Sequence, residues 1–133
     1  MPQTEFELLR RAYDAIAAGD FDAIVPLLHP ESKWHGGEPE DGCQNRAQAI
    51  AWMRRPEARR LSRLVDVVDA GGGRYVVVLQ PGPDAAEAAA GEQPALRANV
   101  TTVRDGLVVE MVAHETPESA FAATGLPVRS YPS

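Results

Sequence analysis

Apolar residues recur at helical spacing from the start of the chain. Phe6, Leu9, Tyr13 and Ile16 fall on one helix face. Thr4 with Glu7 three residues on reads as a capping box, and Gly19 as the C-terminal stop. Asp20 then caps a second, short helix carrying Phe21, Ile24, Leu27 and Leu28. Pro26 lies inside it and predicts a kink or an early end, because proline removes a backbone donor. His29-Pro30 closes the pair, with His29 expected to cap carbonyls there. An extended piece over 33–36, a loop by composition over 36–42 and a third helix over 46–55 follow. That helix offers Ala49, Ile50, Trp52 and Met53, and Pro56 stops it.

The period then changes to two. Segments 61–69 and 74–80 read as strands joined by the turn Ala70-Gly71-Gly72-Gly73. A solvated connection over 81–94 has room for one helical turn at 85–90. Strands over 95–104 and 107–115 are joined by Asp105-Gly106, a tight-turn pair. Thr116-Pro117 opens a last short helix that Gly125 ends. The order is α-α-β-α, then a four-stranded antiparallel meander and a short C-terminal helix. Helices segregate from strands, so the class is α+β. Alternation puts Tyr75, Val77 and Leu79 opposite Val76 and Val78, and Leu107, Val109, Met111 and Ala113 opposite Val108 and Val112. Both faces are apolar, so both need cover. The helices can cover one. A second copy of the chain is expected on the other, giving a homodimer through the sheet.

Composition narrows the function classes. The 133 residues set one domain over 1–133, with a core over about 4–126 and a loose tail over 127–133. Apolar residues make up 44% and charged residues 24%, which supports a packed core without staples. A net charge of −6 repels phosphate backbones and argues against nucleic acid. No apolar run approaches the roughly 18 residues of a membrane span, so no membrane is expected. The start of the chain has no basic, apolar leader, so a cytoplasmic location is expected. The single cysteine, Cys43, excludes an intrachain disulfide; in a polar loop with no histidine arranged beside it, its thiol is incidental. The three histidines have no metal-ligand spacing, and neither a metal nor a cofactor is expected. Arg54-Arg55 and Arg59-Arg60 form a basic cluster, read most simply as a solvated helix end. Gly71-Gly72-Gly73 is a hairpin turn and not a phosphate loop, since no Lys-Ser/Thr or helix follows.

Four pieces of the chain together carry a resemblance. These are the helix–Gly-Asp–helix opening over 12–22, Leu28-His29-Pro30-Glu31 leading to Trp34, Asn45-Arg46-Ala47-Gln48-Ala49-Ile50, and the closing hairpin over 103–111 with its Ala-rich helix ending in Gly125-Leu126. In this order and spacing they resemble the nuclear transport factor 2-like superfamily, in its SnoaL-like branch of polyketide cyclase and ketosteroid isomerase-type folds. The resemblance implies a curved sheet wrapped around the first helices as a cone, an apolar pocket at its wide end and frequent dimerisation through the sheet. The fold does not name the function.

Ketosteroid isomerases use an aspartate base and an oxyanion hole of a tyrosine with a protonated acid. Counted along this sequence, the tyrosine position falls on Ala12, the base on Gly36 and the acid on Asn99. Tyr13 sits about 100° round the helix from Ala12 and is not a clean substitute. Two of the three roles are empty, so isomerase activity is not expected. The Asp–Arg–Asp set of related epoxide hydrolases finds only Asp66, Arg97 and Glu115, with nothing to show that they converge. A cyclase needs a base, for which His35, His114 and Glu115 are the residues available. Glu115 shares the parity of Met111 and is either a rim carboxylate raised by desolvation or a solvated charge beside a helix N-terminus. His35 alternates with Trp34 and points away from the cone unless the strand bulges. The candidate catalytic set is therefore Glu115, Asn99 and His35. Tyr13, Ile16, Trp34, Trp52, Met53, Val77, Thr101, Val103 and Met111 are the candidate pocket lining; the alternative is that they fill the cone as core. The expected function is binding of a small apolar or polycyclic molecule, with cyclase, isomerase or hydrolase chemistry of specialised metabolism left open. The alternative is a non-catalytic, dimeric interaction protein with a filled pocket.

Overall fold

A computed structural model describes residues 2–35, 42–54, 63–82, 85–92, 94–129 and 131. The polar loop expected over 36–42 (apart from Gly42), Gly36 and the basic cluster beyond Arg54 lie outside them. Helix α1 (Pro2–Ala18) ends where Gly19 takes φ +73. Asp20 accepts the Ala23 N–H and starts α2 (Phe21–Ile24). Pro26 acts as expected: α2 is cut to one turn and continues as a 3-10 turn over Val25–Leu27. Its trailing carbonyls are capped by Arg46, not His29. The Arg46 guanidinium donates to the Val25 and Leu28 carbonyls at 3.3 Å each, while His29 Nδ1 accepts the Glu31 N–H.

Strand β1 (Leu28–His35) is longer than the expected piece. It is followed by α3 (Arg46–Met53), β2 (Arg63–Gly71), β3 (Arg74–Gln80), α4 (Ala85–Ala90), β4 (Arg97–Arg104), β5 (Leu107–His114) and α5 (Pro117–Thr124). The sheet order is β1-β5-β4-β3-β2, with β1 parallel to β5 and the rest the expected antiparallel meander. Five curved strands and N-terminal helices make the α+β cone. Gly73 sits in the first hairpin at φ +80, and a Cβ there would come within 2.6 Å of the Val103 carbonyl oxygen, so only glycine fits.

Alternation sorts the core into two clusters. Tyr75, Val77 and Leu79 join Leu9, Ile24, Leu28, Met53, Val103, Val108 and Met111 on the inner face under α1 and α3. Val76 and Val78 join Val68, Ala98, Val100, Ala120 and Phe121 on the outer face. The parity expected for β5 fails at one place. The register slips between Thr102 and Val103, so Val108 joins Met111 on the inner face. One extra residue in a strand shifts every later side chain by one face. The outer face is also not left bare: α5, with Leu126 and Tyr131, packs against it. Arg129 and Tyr131 both bond Asp66, at 3.2 and 2.8 Å.

Candidate functional site

The inner face of the sheet carries a continuous rung. Trp34 of β1 stands opposite Met111 of β5, Met111 opposite Thr101 of β4, and Thr101 opposite Tyr75 of β3. Two ends of this rung are polar, and Met111 forms an apolar floor between Trp34 and Thr101.

Helix α1 brings Tyr13 down onto Thr101. The two hydroxyls lie 2.9 Å apart, and the Asn99 amide donates to the Tyr13 oxygen at 3.1 Å. This corrects the expectation drawn from counting along the helix. Leu8, Leu9, Ala12 and Tyr13 are all buried, so α1 turns a broad stripe inward and adjacent positions both face the sheet. Ala12, at the counted position, is small; Tyr13 beside it makes the contact with Asn99. Burial raises the Tyr13 pKa, and the hydrogen bonds from Thr101 and Asn99 oppose the shift only in part. The phenol therefore stays protonated. The Asn99 amide donates to the phenol oxygen, and either hydroxyl of the Tyr13–Thr101 pair can be the donor between them; in the arrangement with Thr101 donating, the Tyr13 O–H is left for an acceptor. Asn99 is only half-buried although β4 is the central strand, and so is Ala113 opposite it.

At the other end, the Trp34 and Trp52 rings meet edge to face at 4.3 Å. Trp34 is half-buried, yet its indole nitrogen is fully buried and has no hydrogen-bond partner among the described residues, and the same holds for the Ser32 hydroxyl. Each unmet buried donor costs about 1–3 kcal/mol. Below Trp34 the chain folds back on itself: the backbones of Trp34 and Cys43 pair in both directions, and Cys43 is buried. The thiol is thus enclosed, and not in a polar loop as its neighbours in sequence imply. On β3, the Tyr75 hydroxyl donates to Glu5 of α1, and burial and that carboxylate push its pKa up.

The expected lining residues fall on this side of the sheet. Tyr13, Met53, Val77, Val103 and Met111 are buried in the inner cluster, Ile16, Trp34 and Trp52 pack against it, and Thr101 and Asn99 are tied to it through Tyr13. The expected catalytic residues are not brought together. Glu115 is exposed just beyond β5 and next to the Thr116 cap of α5. His35 turns away from Trp34 and bonds Glu110 at 3.1 Å, half in solvent. His114 bonds Ser119 of α5 at 2.8 Å. The hydrolase-like set is dispersed as well: Asp66 faces out toward Arg129 and Tyr131, and Arg97 and Glu115 are exposed. Arg54 is exposed, reaches Asp22 at 3.3 Å and lies over the Phe21 ring. Among the described residues, no group of three or more His, Cys, Asp or Glu could hold a metal ion, and no helix is long and apolar enough to cross a membrane. The buried, unpartnered donors of Ser32 and Trp34 were not foreseen; the alternation Ser32–Trp34 on one strand face was the available signal.

The family model of the SnoaL-like domain matches residues 9–111, and the chain belongs to that family. No curated protein matches it. Among solved structures, it is similar to a nuclear transport factor 2-like protein of Burkholderia xenovorans, at 14% identity and TM-score 0.69, over 98% of this chain and 89% of that one. It is similar to TerC, co-crystallised with polyporic acid, at 14% identity and TM-score 0.67, over 92% and 98% of the two chains. A Kribbella flavida protein provisionally named a ketosteroid isomerase matches at 13% identity and TM-score 0.67, over 98% and 83%. At these identities the likeness concerns the fold.

Proposed function

We propose that this chain binds a small, largely apolar or polycyclic molecule on the inner face of its sheet, and that the Tyr13 hydroxyl takes a carbonyl or similar acceptor oxygen of that molecule. The observation that carries the reading is the Asn99–Tyr13–Thr101 set: a protonated phenol, with its oxygen bonded on two sides, beside a half-buried amide. Asn99 has no other side-chain partner among the described residues, which leaves its second N–H for the same oxygen. The surrounding Ile16, Trp52, Val77 and Met111 supply apolar contact. TerC having been co-crystallised with polyporic acid agrees with this reading.

The proposal is for binding and polarisation. Isomerase chemistry also needs a base, and none of the described carboxylates or histidines bonds to the Tyr13–Asn99 set. The position counted for that base holds Gly36, which has no side chain. The test is a pair of ligands with one shape, 9-fluorenone and fluorene, titrated by calorimetry. The ketone should bind at least ten-fold tighter than the hydrocarbon, and Tyr13→Phe should abolish that preference. Equal affinity for the two ligands in the unaltered protein would remove the polar role of Tyr13.

Pairing of two copies through the sheet is the second part of the proposal. It rests on the resemblance and on the outer surface that α5 leaves part-exposed, Val112 beside the His35–Glu110 pair. A monomeric mass by light scattering at micromolar concentration would refute it and leave the ligand site intact.

A further inference from the structure

The inner face holds a second set of donors that the Tyr13 site does not use. Trp34 and Ser32 lie on β1, whose ladder is irregular between Leu28 and Lys33; Ser32 is buried and Lys33 between the two is exposed, which sets both on the side away from Lys33, and Trp34 packs against the inner cluster. Ser32 is 1% exposed. The Ser32 hydroxyl and the Trp34 indole N–H are both buried without a hydrogen-bond partner among the described residues. Trp34 as a residue is half-buried, so the nitrogen is the part of the ring turned inward. The edge-to-face contact with Trp52 holds the ring in that orientation.

From these groups we infer that Ser32 and Trp34 form an acceptor-binding subsite at the opposite end of the inner face from Tyr13, so that the ligand class is an apolar body with an acceptor oxygen at each end. The inference rests on the Tyr13 reading for the first end. The rung Trp34–Met111–Thr101 spans two strand spacings, about 10 Å of backbone. Met111 lies between the two donor sets as an apolar floor. An indole N–H and a serine hydroxyl can both donate to one carbonyl or carboxylate oxygen, whereas a hydrocarbon end leaves both unmet. Neither donor carries charge, so a neutral ketone suffices.

The probes are 4-acetylbiphenyl, with one acceptor, and 4,4′-diacetylbiphenyl, with two. The two-ended ketone should bind about ten-fold tighter to the unaltered protein. Trp34→Phe and Ser32→Ala should each cut that advantage. The single ketone should follow 9-fluorenone, weakening in Tyr13→Phe and changing less than three-fold in Trp34→Phe and Ser32→Ala. Indole N–H resonances of the unaltered protein give a readout independent of folding defects. The Trp34 signal, identified by its persistence in Trp52→Phe, should move downfield on saturation with 4,4′-diacetylbiphenyl. If both ketones bind with equal affinity and the Trp34 indole signal stays still, the second subsite is overturned and the Tyr13 site survives. If neither ketone binds, both readings fall together.

Discussion

On the outer face of the sheet, Val76, Val78, Ala98 and Val100 meet Ala120 and Phe121 of α5. The polar contacts on that side lie toward solvent: Asp66 with Arg129 and Tyr131, His114 with Ser119, and His35 with Glu110. On the inner face, hydroxyls and an amide sit among apolar side chains, and two donors have no partner among the described residues. Burying unmet polar atoms costs stability, so a surface serving only to hold the fold together is better built like the outer one. The contrast separates packing from binding. Phe121 and its neighbours stabilise; in the proposed reading, Tyr13, Asn99, Ser32 and Trp34 hydrogen-bond a ligand.

The largest effect that can break this comparison is on stability. Phe121 is 1% exposed at the centre of the outer cluster, and Phe121→Ala should destabilise the domain by about 3–5 kcal/mol. Urea unfolding measures this. Affinity for 9-fluorenone, measured on the fraction that remains folded, should stay within two-fold. The inner counterpart, Tyr13→Phe, should cost only about 1 kcal/mol of stability because it removes one hydroxyl and no volume. Its effect should fall on ligand preference. A variant pair with the opposite pattern would mean that the faces have been assigned the wrong way round.

A smaller effect comes from pH. Burial first, and then the Asp66 carboxylate, push the Tyr131 pKa up to about 12. A phenol with a raised folded-state pKa favours the folded state while it stays protonated. That contribution is complete below the ordinary tyrosine value near 10 and is lost as pH rises through the folded value. Tyr13 and Tyr75 are shifted in the same direction by burial on the inner side. Stability should therefore be insensitive to tyrosine up to about pH 10 and should fall above it. In Asp66→Asn the most readily ionised buried phenol, followed by absorbance, should titrate lower, while the inner tyrosines remain protonated. An unchanged titration would mean that Asp66 does not act on Tyr131.

Much of this architecture was legible in the sequence because its signals are local. The Asp20 and Thr116 caps, the shortening of α2 at Pro26, the Asp105-Gly106 turn and the alternation in β3 each depend on a few neighbouring residues. What was missed depends on distant pairing. The slip beside Val103 exists only in the register of β4 against β5, so Val108 was assigned to the wrong face. The cover that α5 gives the outer face is a docking angle, which an eight-residue amphipathic pattern does not encode. For the site, helical spacing puts Tyr13 on the inward face, while counting along the chain puts the isomerase tyrosine position on Ala12 beside it. A helix lying on a concave sheet turns a stripe inward, and the larger side chain takes the contact.

The central claim, that ligand enters over the inner face, has a direct local probe in the three methionines, Met1, Met53 and Met111. Met53 and Met111 are buried in the inner cluster, with Met111 between Trp34 and Thr101 on the rung. Methyl-labelled methionine should show three signals, with Met111 assigned through Met111→Leu. On titration with 9-fluorenone, the account predicts a saturable shift of the Met111 methyl, a smaller one for Met53 and none for Met1. Saturable binding by calorimetry with the Met111 methyl unmoved would place the ligand elsewhere and contradict it.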